Sequence, residues 1–306
     1  MRNGGNNSDG PAVGAVMMAM SMRLPWLLPF AVAGHQLRRA VKDIHDVETG
    51  ALRFATAQVI GALPVTIKKH QSRLLRQHSD DEGFRLQRGK VINLQIAAPL
   101  FDGVLIAPGE TLSFWQRVGP PLRRRGFAQG MELARGRPRA GLGGGLCQIA
   151  NVLHWLALHS PLTVVERSVH SFDPFADVER AIPWGTGCSV FFNYLDLRLR
   201  NDTTTTFQVR LRVTERFLEG ELRANAALPC SWSVFERDAG FERVDGHWFR
   251  HNALWRHVVD RKTGVHLRDE PLKKNRARVL YEPQRETHFE VCREGEAVEA
   301  KKTPTS

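Results

Sequence analysis

The sequence predicts an α+β fold in which most of the sheet is antiparallel. A glycine run at 141–145 is followed by helical spacing of apolar residues from Cys147 to His159. Alternating β segments, separated by turn residues, then continue to about residue 283. The 306 residues are 42% hydrophobic and 25% charged, which excludes collagen-like, coiled-coil and wholly disordered chains.

The N-terminal part of the chain is predicted to consist of a segment without regular structure followed by helices. Residues 1–22 are rich in Gly, Asn and Ser and are expected to be disordered or artefactual. Residues 23–90 are expected to form a helical segment, in which apolar spacing between Leu37 and Leu52 predicts one or two amphipathic helices. The apolar run 24–34 is too short to cross a bilayer. These features favour a cytoplasmic protein, with export by a weak N-terminal signal as the alternative.

A core over 91–225 is predicted to mix helices and strands. Its expected elements are a short helix at 91–100, strands at 104–106, 111–115, 131–134, 162–169 and 217–223, and a hairpin of 188–199 with 207–213. Further hairpins are expected in a β-rich C-terminal extension over 226–293, and 294–306 is expected to be a disordered tail.

Charge and cysteine content narrow the function classes. The net charge is +11, but 34 of the 43 basic residues are Arg, and this skew is as typical of genomic base composition as of anion binding. Aromatic interleaving and nucleic-acid motifs are lacking, so no nucleic-acid partner is favoured. The four cysteines are widely spaced without C-x-x-C, which excludes a zinc ribbon or a thioredoxin motif and disfavours a disulfide framework.

One constellation could carry chemistry. Cys147 at a helix start is the candidate nucleophile, because the positive end of the helix dipole favours a thiolate. His170, at a strand end, is the candidate base, and Asp196 the residue that orients it. Helix-borne Cys followed by strand-borne His is also the order of papain-like and transglutaminase-like folds. Three residues would line the oxyanion region: Gly144, Gly145 and Gln148.

Each of these residues also has a structural interpretation. Cysteine often fills a core, a glycine run can simply form a tight turn, and Asp196 could face solvent from a strand. A metal site of Cys147, His154 and His170 lacks a closely spaced ligand pair, so neither a metal nor a cofactor is predicted. Guanidinium groups in and near the basic loop 117–139 could instead hold an anionic ligand: Arg123, Arg125 and Arg167.

Several motifs together resemble one family. They are Val91–Leu94, Pro108–Thr111 with Phe114-Trp115, Gly143–Gln148, Glu166-Arg167 with His170, and Tyr194–Leu197. This combination resembles the VanW family of accessory proteins named from vancomycin-resistance gene clusters. The resemblance implies a cell-wall or glycopeptide-resistance context but no established reaction. Many relatives have Gly-Thr-Asp-Ala where this chain has Gly185–Cys188, which marks a departure from the family pattern.

Two hypotheses of different classes follow. In the first, Cys147 and His170 perform thiol-dependent chemistry on an amide or peptide bond. In the second, the chain is a non-catalytic accessory module that binds an anionic or peptidoglycan-related ligand, and Cys147→Ser would preserve binding. In either case the expected partner is a peptidoglycan precursor or peptide, and the oligomeric state is left open.

Overall fold

In the part of the chain that the structure describes, helices and strands are mixed up to Leu158, and only strands follow it. A computed structural model of the chain describes residues 28–75, 81–134, 137–169, 172–173, 182–283 and 288–290. Its helices are α1 (Leu28–Glu48), α2 (Asp81–Ala97), α3 (Phe114–Val118) and α4 (Cys147–Leu158), with short 3-10 turns at Ala98–Leu100 and Arg123–Arg125. The segments 1–22 and 294–306 lie outside the described residues, as does His170.

The strands form three sheets and a separate hairpin. They are β1 (Val65–Arg73), β2 (Val104–Ile106), β3 (Thr111–Ser113), β4 (Gln129–Ala134), β5 (Arg137–Leu142), β6 (Thr163–Glu166), β7 (Phe172–Asp173), β8 (Arg198–Arg200), β9 (Phe207–Val213), β10 (Phe217–Ala224), β11 (Cys230–Val244), β12 (His247–Asp260), β13 (His266–Val279) and β14 (His288–Glu290). The sheet orders are β1-β10-β9-β2, β3-β8-β6 and β14-β11-β12-β13-β7, and β4 pairs with β5.

Antiparallel pairing dominates these sheets. Within the described chain, only β11 with β14 and β13 with β7 run parallel. The α+β class is therefore confirmed, and so are the hairpins expected in the C-terminal extension, because β11, β12 and β13 form a continuous meander. The papain-like order stays a prediction.

Helix α4 lies at the centre of the molecule. The face predicted from sequence is buried in full, and it comprises Ile149, Val152, Leu153, Leu156 and Ala157. The opposite side is buried too, including His154 and Trp155. Space for this helix is made by Gly220 on β10, where a Cβ would collide with the Val152 side chain. The Cys-bearing helix is thus a core element with almost no solvated face.

Helix α1 is oriented opposite to the expectation for an amphipathic helix. Its apolar stripe points to solvent and consists of Leu37, Val41, Ile44 and Val47, which are 66%, 59%, 58% and 46% exposed. Its polar face contacts the protein through ion pairs of Arg39 with Glu166 and of Asp43 with Arg198. The chain between this helix and β1 forms no second helix. No helix in the part of the chain that the structure describes is long and apolar enough to cross a membrane.

Three predicted elements differ from the structure. The expected strand 188–199 is wrong, since regular pairing begins only at β8; the predicted strand 111–115 ends at Ser113, and the helix predicted at 91–100 begins at Asp81. The hairpin of 188–199 with 207–213 is also wrong, because β8 pairs with β3 and β6, whereas β9 pairs with β10 and β2. Asn201 holds the carbonyls of Ile106 and Thr205 at 2.8 and 2.7 Å and so directs the chain from one sheet into the other.

Candidate functional site

The thiol of Cys147 sits at the first residue of α4, as predicted. Leu146 precedes the helix without a side-chain cap, and the Gln148 and Ile149 amides already donate to Gly145 and Leu146. The Cys147 Sγ donates to the Val190 carbonyl at 3.8 Å. Burial raises the pKa of Cys147, and the nearby Glu132 carboxylate raises it further. This direction is opposite to the one expected from the helix dipole, so desolvation outweighs the dipole here.

The glycines before Cys147 form a tightly packed turn. The Gly144 carbonyl accepts from Asn93 Nδ2 at 2.9 Å, and its amide donates to Gly141 at 3.0 Å. A Cβ on Gly144 would collide with the Gly130 carbonyl, and Gly145 has a φ of +93°. Glycine is therefore required at 144 by the close approach of the backbone and at 145 by the left-handed conformation. Because the Gly144 amide already has an acceptor, it is not available to an oxyanion.

Gln148 joins α4 to the neighbouring sheet. Its Nε2 donates to Ser72 Oγ and to the Arg73 carbonyl on β1, both at 2.9 Å. The side chain is thereby turned towards β1. It acts as a structural clamp in this arrangement.

The structure does not test the proposed histidine partner of Cys147. His170 lies outside the described residues, so its distance from Cys147 stays a prediction. Among the residues whose positions are given, no histidine bonds the Cys147 sulfur. His154, which lies on the same helix α4 as Cys147, donates from Nδ1 to the Thr186 carbonyl at 2.8 Å. Burial, with a smaller effect of the Arg167 charge, lowers the pKa of His154 to about 3, so this ring is neutral.

Asp196 is fully buried and completely hydrogen-bonded. One oxygen accepts the amides of Trp115 and Leu197 at 3.1 and 2.9 Å, and the other accepts Ser113 Oγ at 2.6 Å and Arg198 Nε at 2.9 Å. Burial raises the pKa of Asp196, although the bonds from Ser113 and Arg198 oppose that shift. The interpretation as a solvent-facing strand residue is wrong. The four bonds give this carboxylate a structural role at the start of α3.

The two arginines of the basic loop face solvent. Arg123 and Arg125 lie in the exposed 3-10 turn, and Arg125 donates to the Pro120 carbonyl at 2.7 Å while its guanidinium lies 5.2 Å from the centre of the Phe127 ring. These contacts position Arg125 locally. The contacts of Arg125 and those of Arg167, which follows β6, share no residue.

Arg167 belongs to a network that spacing in the sequence did not reveal. It donates from Nε and Nη2 to the Gly187 carbonyl at 3.0 and 2.7 Å, and Nη2 also contacts the Gly185 carbonyl. The same loop is held by Asn151 of α4, whose Oδ1 accepts the Cys188 amide at 2.6 Å. Burial raises the pKa of the Cys188 thiol to about 12. The only signal in the sequence was the placement of Asn151 and His154 three residues apart on one helix face.

A cavity of about 410 Å³ opens beside this network, between the end of α4, β6, β12 and β13. One carboxylate, Glu166, lines it and pairs with Arg39. The other walls combine apolar and cationic side chains: Leu158, Pro161, Leu162, Leu254, Leu272, Arg167, Arg256 and Lys273. Arg256 is neutralised by Glu270 at 2.7 Å. Arg167 and Lys273 form no ion pair with any residue that the structure describes. Burial lowers the pKa of both, and Arg167 lowers that of Lys273 further.

A second cavity, of about 520 Å³, lies between α1 and the sheet of β6 and β8. Most of the cations that line it are paired with carboxylates, but Arg38 forms no ion pair with a described residue. The ion pairs are Arg39–Glu166, Lys42–Asp46, Arg198–Asp43 and Arg200–Asp202. Among the described residues, Arg167 and Lys273 lack an ion-pair partner in the first cavity, and Arg38 lacks one in this cavity.

Comparison with known proteins shows which proteins the chain resembles. Residues 89–223 match the family described as "VanW like protein". The chain is 29% identical over 269 residues to "Vancomycin B-type resistance protein VanW" of Enterococcus faecalis (strain ATCC 700802 / V583), which covers 86% of this chain and 94% of that protein. It is 27% identical over 123 residues to "Uncharacterized protein YoaR" of Bacillus subtilis (strain 168), 39% of this chain and 38% of that protein. No solved structure matches. The matched domain and the similarity over most of both chains support an assignment to the VanW family.

Proposed function

We propose that this protein is a non-catalytic accessory protein of vancomycin resistance that binds a carboxylate-bearing, peptidoglycan-related peptide in the cavity beside Arg167 and Lys273. The resistance context comes from the name of the Enterococcus faecalis relative. The binding role is supported mainly by one observation: Arg167 and Lys273 lie in a partly apolar cavity and form no ion pair with a described residue.

The electrostatics of this cavity favour an anion. Arg167 and Lys273 are both partly buried, and each pays a desolvation cost that lowers its pKa. A bound carboxylate would offset that cost through charge-assisted hydrogen bonds. The Arg167 guanidinium uses Nε and Nη2 for backbone carbonyls, and no described residue engages its Nη1. That nitrogen and the Lys273 ammonium remain as donors for a ligand.

The apolar side of the cavity suits the rest of such a ligand. Leu158, Leu162 and Leu254 are buried, and Leu272 adds a further apolar wall. Small-molecule sites commonly combine a mostly apolar surface with a few convergent polar groups. A short peptide would place its side chains against the leucines and its terminal carboxylate towards the two cations.

The thiol hypothesis has less support. A nucleophilic cysteine needs an accessible thiolate, and the pKa of Cys147 is shifted in the direction that disfavours one. Asp196 has no free lone pair directed to an imidazole, because its four hydrogen bonds are all internal. We therefore favour a binding function over catalysis by Cys147.

Calorimetry with a short acetylated stem-type peptide, as the free acid and as the C-terminal amide, tests the proposal. We expect the acid to bind and the amide to bind at least about tenfold more weakly, since a hydrogen bond to a charged group contributes about 1.5–3 kcal/mol. Lys273→Gln should weaken binding of the acid by about tenfold. Lys262→Gln, in the exposed turn before β13, is the matched control and should not change it.

Two results would contradict the proposal. One is equal affinity of acid and amide, and the other is unchanged affinity of the Lys273→Gln variant. Arg167→Gln is a weaker test because Arg167 also anchors the Gly185 and Gly187 carbonyls. The resistance context is tested separately by comparing vancomycin susceptibility of a host strain with and without the gene, and then with the Lys273→Gln gene.

A further inference from the structure

A cluster of two histidines and one aspartate lies on the C-terminal meander, away from the cavity. His257 on β12 and Asp269 on β13 are direct partners across the two antiparallel strands. His266 stands at the start of β13. The ligand atoms of the three side chains all lie within 4.8 Å of one another. We propose that His257, His266 and Asp269 form a binding site for a divalent first-row transition metal such as Zn²⁺.

A strand irregularity brings the third ligand to the same face. His266 and Asp269 are three residues apart, so in a regular strand their side chains would point to opposite faces. Between Val258 and Val259 the register of β12 with β13 shifts, so that Val258 pairs with Arg268 and Val259 with His266. The extra residue of this bulge returns His266 to the face of Asp269. Bulges commonly re-aim side chains in this way at functional sites.

The distances already approach a metal-binding arrangement. Asp269 Oδ1 lies 2.6 Å from His257 Nδ1 and 2.7 Å from His266 Nε2. In a tetrahedral zinc site with bonds of about 2.0–2.1 Å, ligand atoms are roughly 3.3 Å apart. Movements on the order of 1 Å would therefore admit the ion. A cation at the centre also removes the need for two imidazoles to donate protons to a single carboxylate oxygen.

Neighbouring side chains hold the ligands in place. Arg237 of β11 donates to the other oxygen of Asp269 at 2.6 Å, which leaves Oδ1 for the metal. Phe235 stacks on the His257 ring, with centroids 3.9 Å apart and planes 11° apart. Such outer contacts orient metal ligands in known sites. The positive charge of Arg237 works against cation binding, but it also keeps the carboxylate in one orientation.

The donor set and exposure indicate the class of metal. Two imidazole nitrogens with one carboxylate suit Zn²⁺, Ni²⁺, Cu²⁺ or Fe²⁺, whereas Ca²⁺ and Mg²⁺ prefer oxygen alone. The side chains of His257 and His266 are 40% and 53% exposed, so the remaining coordination positions face water. Sequence spacing did not predict this site, because its ligands come from two strands and depend on the bulge.

Competition of the full-length protein with a chromophoric chelator for Zn²⁺ at pH 7.5 tests the site. We expect one equivalent of Zn²⁺ to bind. His266→Ala and His257→Ala should each weaken this binding by more than about tenfold, since even outer contacts of a metal ligand change affinity by about 10–100-fold. His247→Ala, an exposed histidine at the start of β12, is the matched control and should bind like the unsubstituted chain.

Cobalt provides an independent readout. Co²⁺ at this site should give visible d–d bands without the near-ultraviolet thiolate charge-transfer band that a cysteine site produces. The inference is overturned if no Zn²⁺ binds, if His266→Ala binds as tightly as the unsubstituted chain, or if the Co²⁺ spectrum contains the thiolate band. Far-UV circular dichroism of His266→Ala verifies that the meander still folds.

Discussion

The substitution Asp196→Asn removes a charge but almost no volume from a point where four hydrogen bonds converge. The asparagine oxygen can still accept the amides of Trp115 and Leu197. Its Nδ2 would then face Ser113 and Arg198, and only the serine hydroxyl can accept from it. One charge-assisted bond is lost, and the guanidinium meets a donor.

The magnitude follows from these contacts. A hydrogen bond to a charged group contributes about 1.5–3 kcal/mol to stability, and removing the partner of a buried charge costs about 3–5 kcal/mol. Arg198 does not lose every charged partner, because it keeps its ion pair with Asp43. We therefore expect Asp196→Asn to lower the free energy of unfolding by about 2–3 kcal/mol.

Urea unfolding measures this change through the shift of the midpoint at constant slope. The matched control is Asp202→Asn, because Asp202 pairs with Arg200 at 2.5 Å and both side chains are almost half exposed. That variant should lose no more than about 0.2–1 kcal/mol. If both variants unfold at the same urea concentration, the structural role assigned to Asp196 is wrong. Function lost with unchanged stability would instead favour the catalytic hypothesis.

Three further predictions follow from the same buried region. The pKa of His154 is about 3 in the folded protein and about 6.5 when unfolded, so between these values the unfolded state binds more protons and stability falls as the pH decreases. His154→Asn, which can still donate to Thr186, should reduce the slope of stability against pH near pH 5 by about 1.4 kcal/mol per pH unit. An unchanged slope would contradict the neutral buried ring. Alkylation of Cys147 at pH 7.5, in a chain whose Cys230 and Cys292 are replaced by Ser, should be slower than that of an exposed thiol and should keep rising above pH 9; a plateau below pH 8 would restore the nucleophile hypothesis. Gly144→Ala should destabilise by about 1–3 kcal/mol because its Cβ meets the Gly130 carbonyl, whereas Gly187→Ala, whose Cβ has ordinary contacts, should be nearly neutral in the same urea assay.

Local patterns in the sequence predicted the central helix well. The apolar spacing after Cys147 identified both the helix and its buried face, because side chains three and four residues apart share one face whatever surrounds them. The same logic failed for α1. Its apolar stripe is equally regular, yet ion pairs of Arg39 and Asp43 hold the polar face against the protein. Periodicity shows that a helix has two faces and does not show which of them is buried.

Within the core, the sequence did not predict which strands pair with one another. A turn at 201–204 between two β segments is typical of a hairpin, but β8 and β9 belong to different sheets. Three of their partners, β2, β3 and β6, come from distant parts of the chain, whereas β10 directly follows β9. Pairing of this kind depends on long-range packing, which local residue preferences do not encode.

The sequence by itself determined the fold class, the resemblance to VanW proteins and the position of Cys147 at a helix start, because composition, local periodicity and contiguous motifs carry that information. Only the tertiary structure decided what the side chains do there. Desolvation, which depends on every neighbouring element, raises the pKa of Cys147 and that of Asp196. The cationic cavity beside Lys273 and the cluster at His257 arise in the same way, since residues far apart in the chain become neighbours only when the sheets assemble.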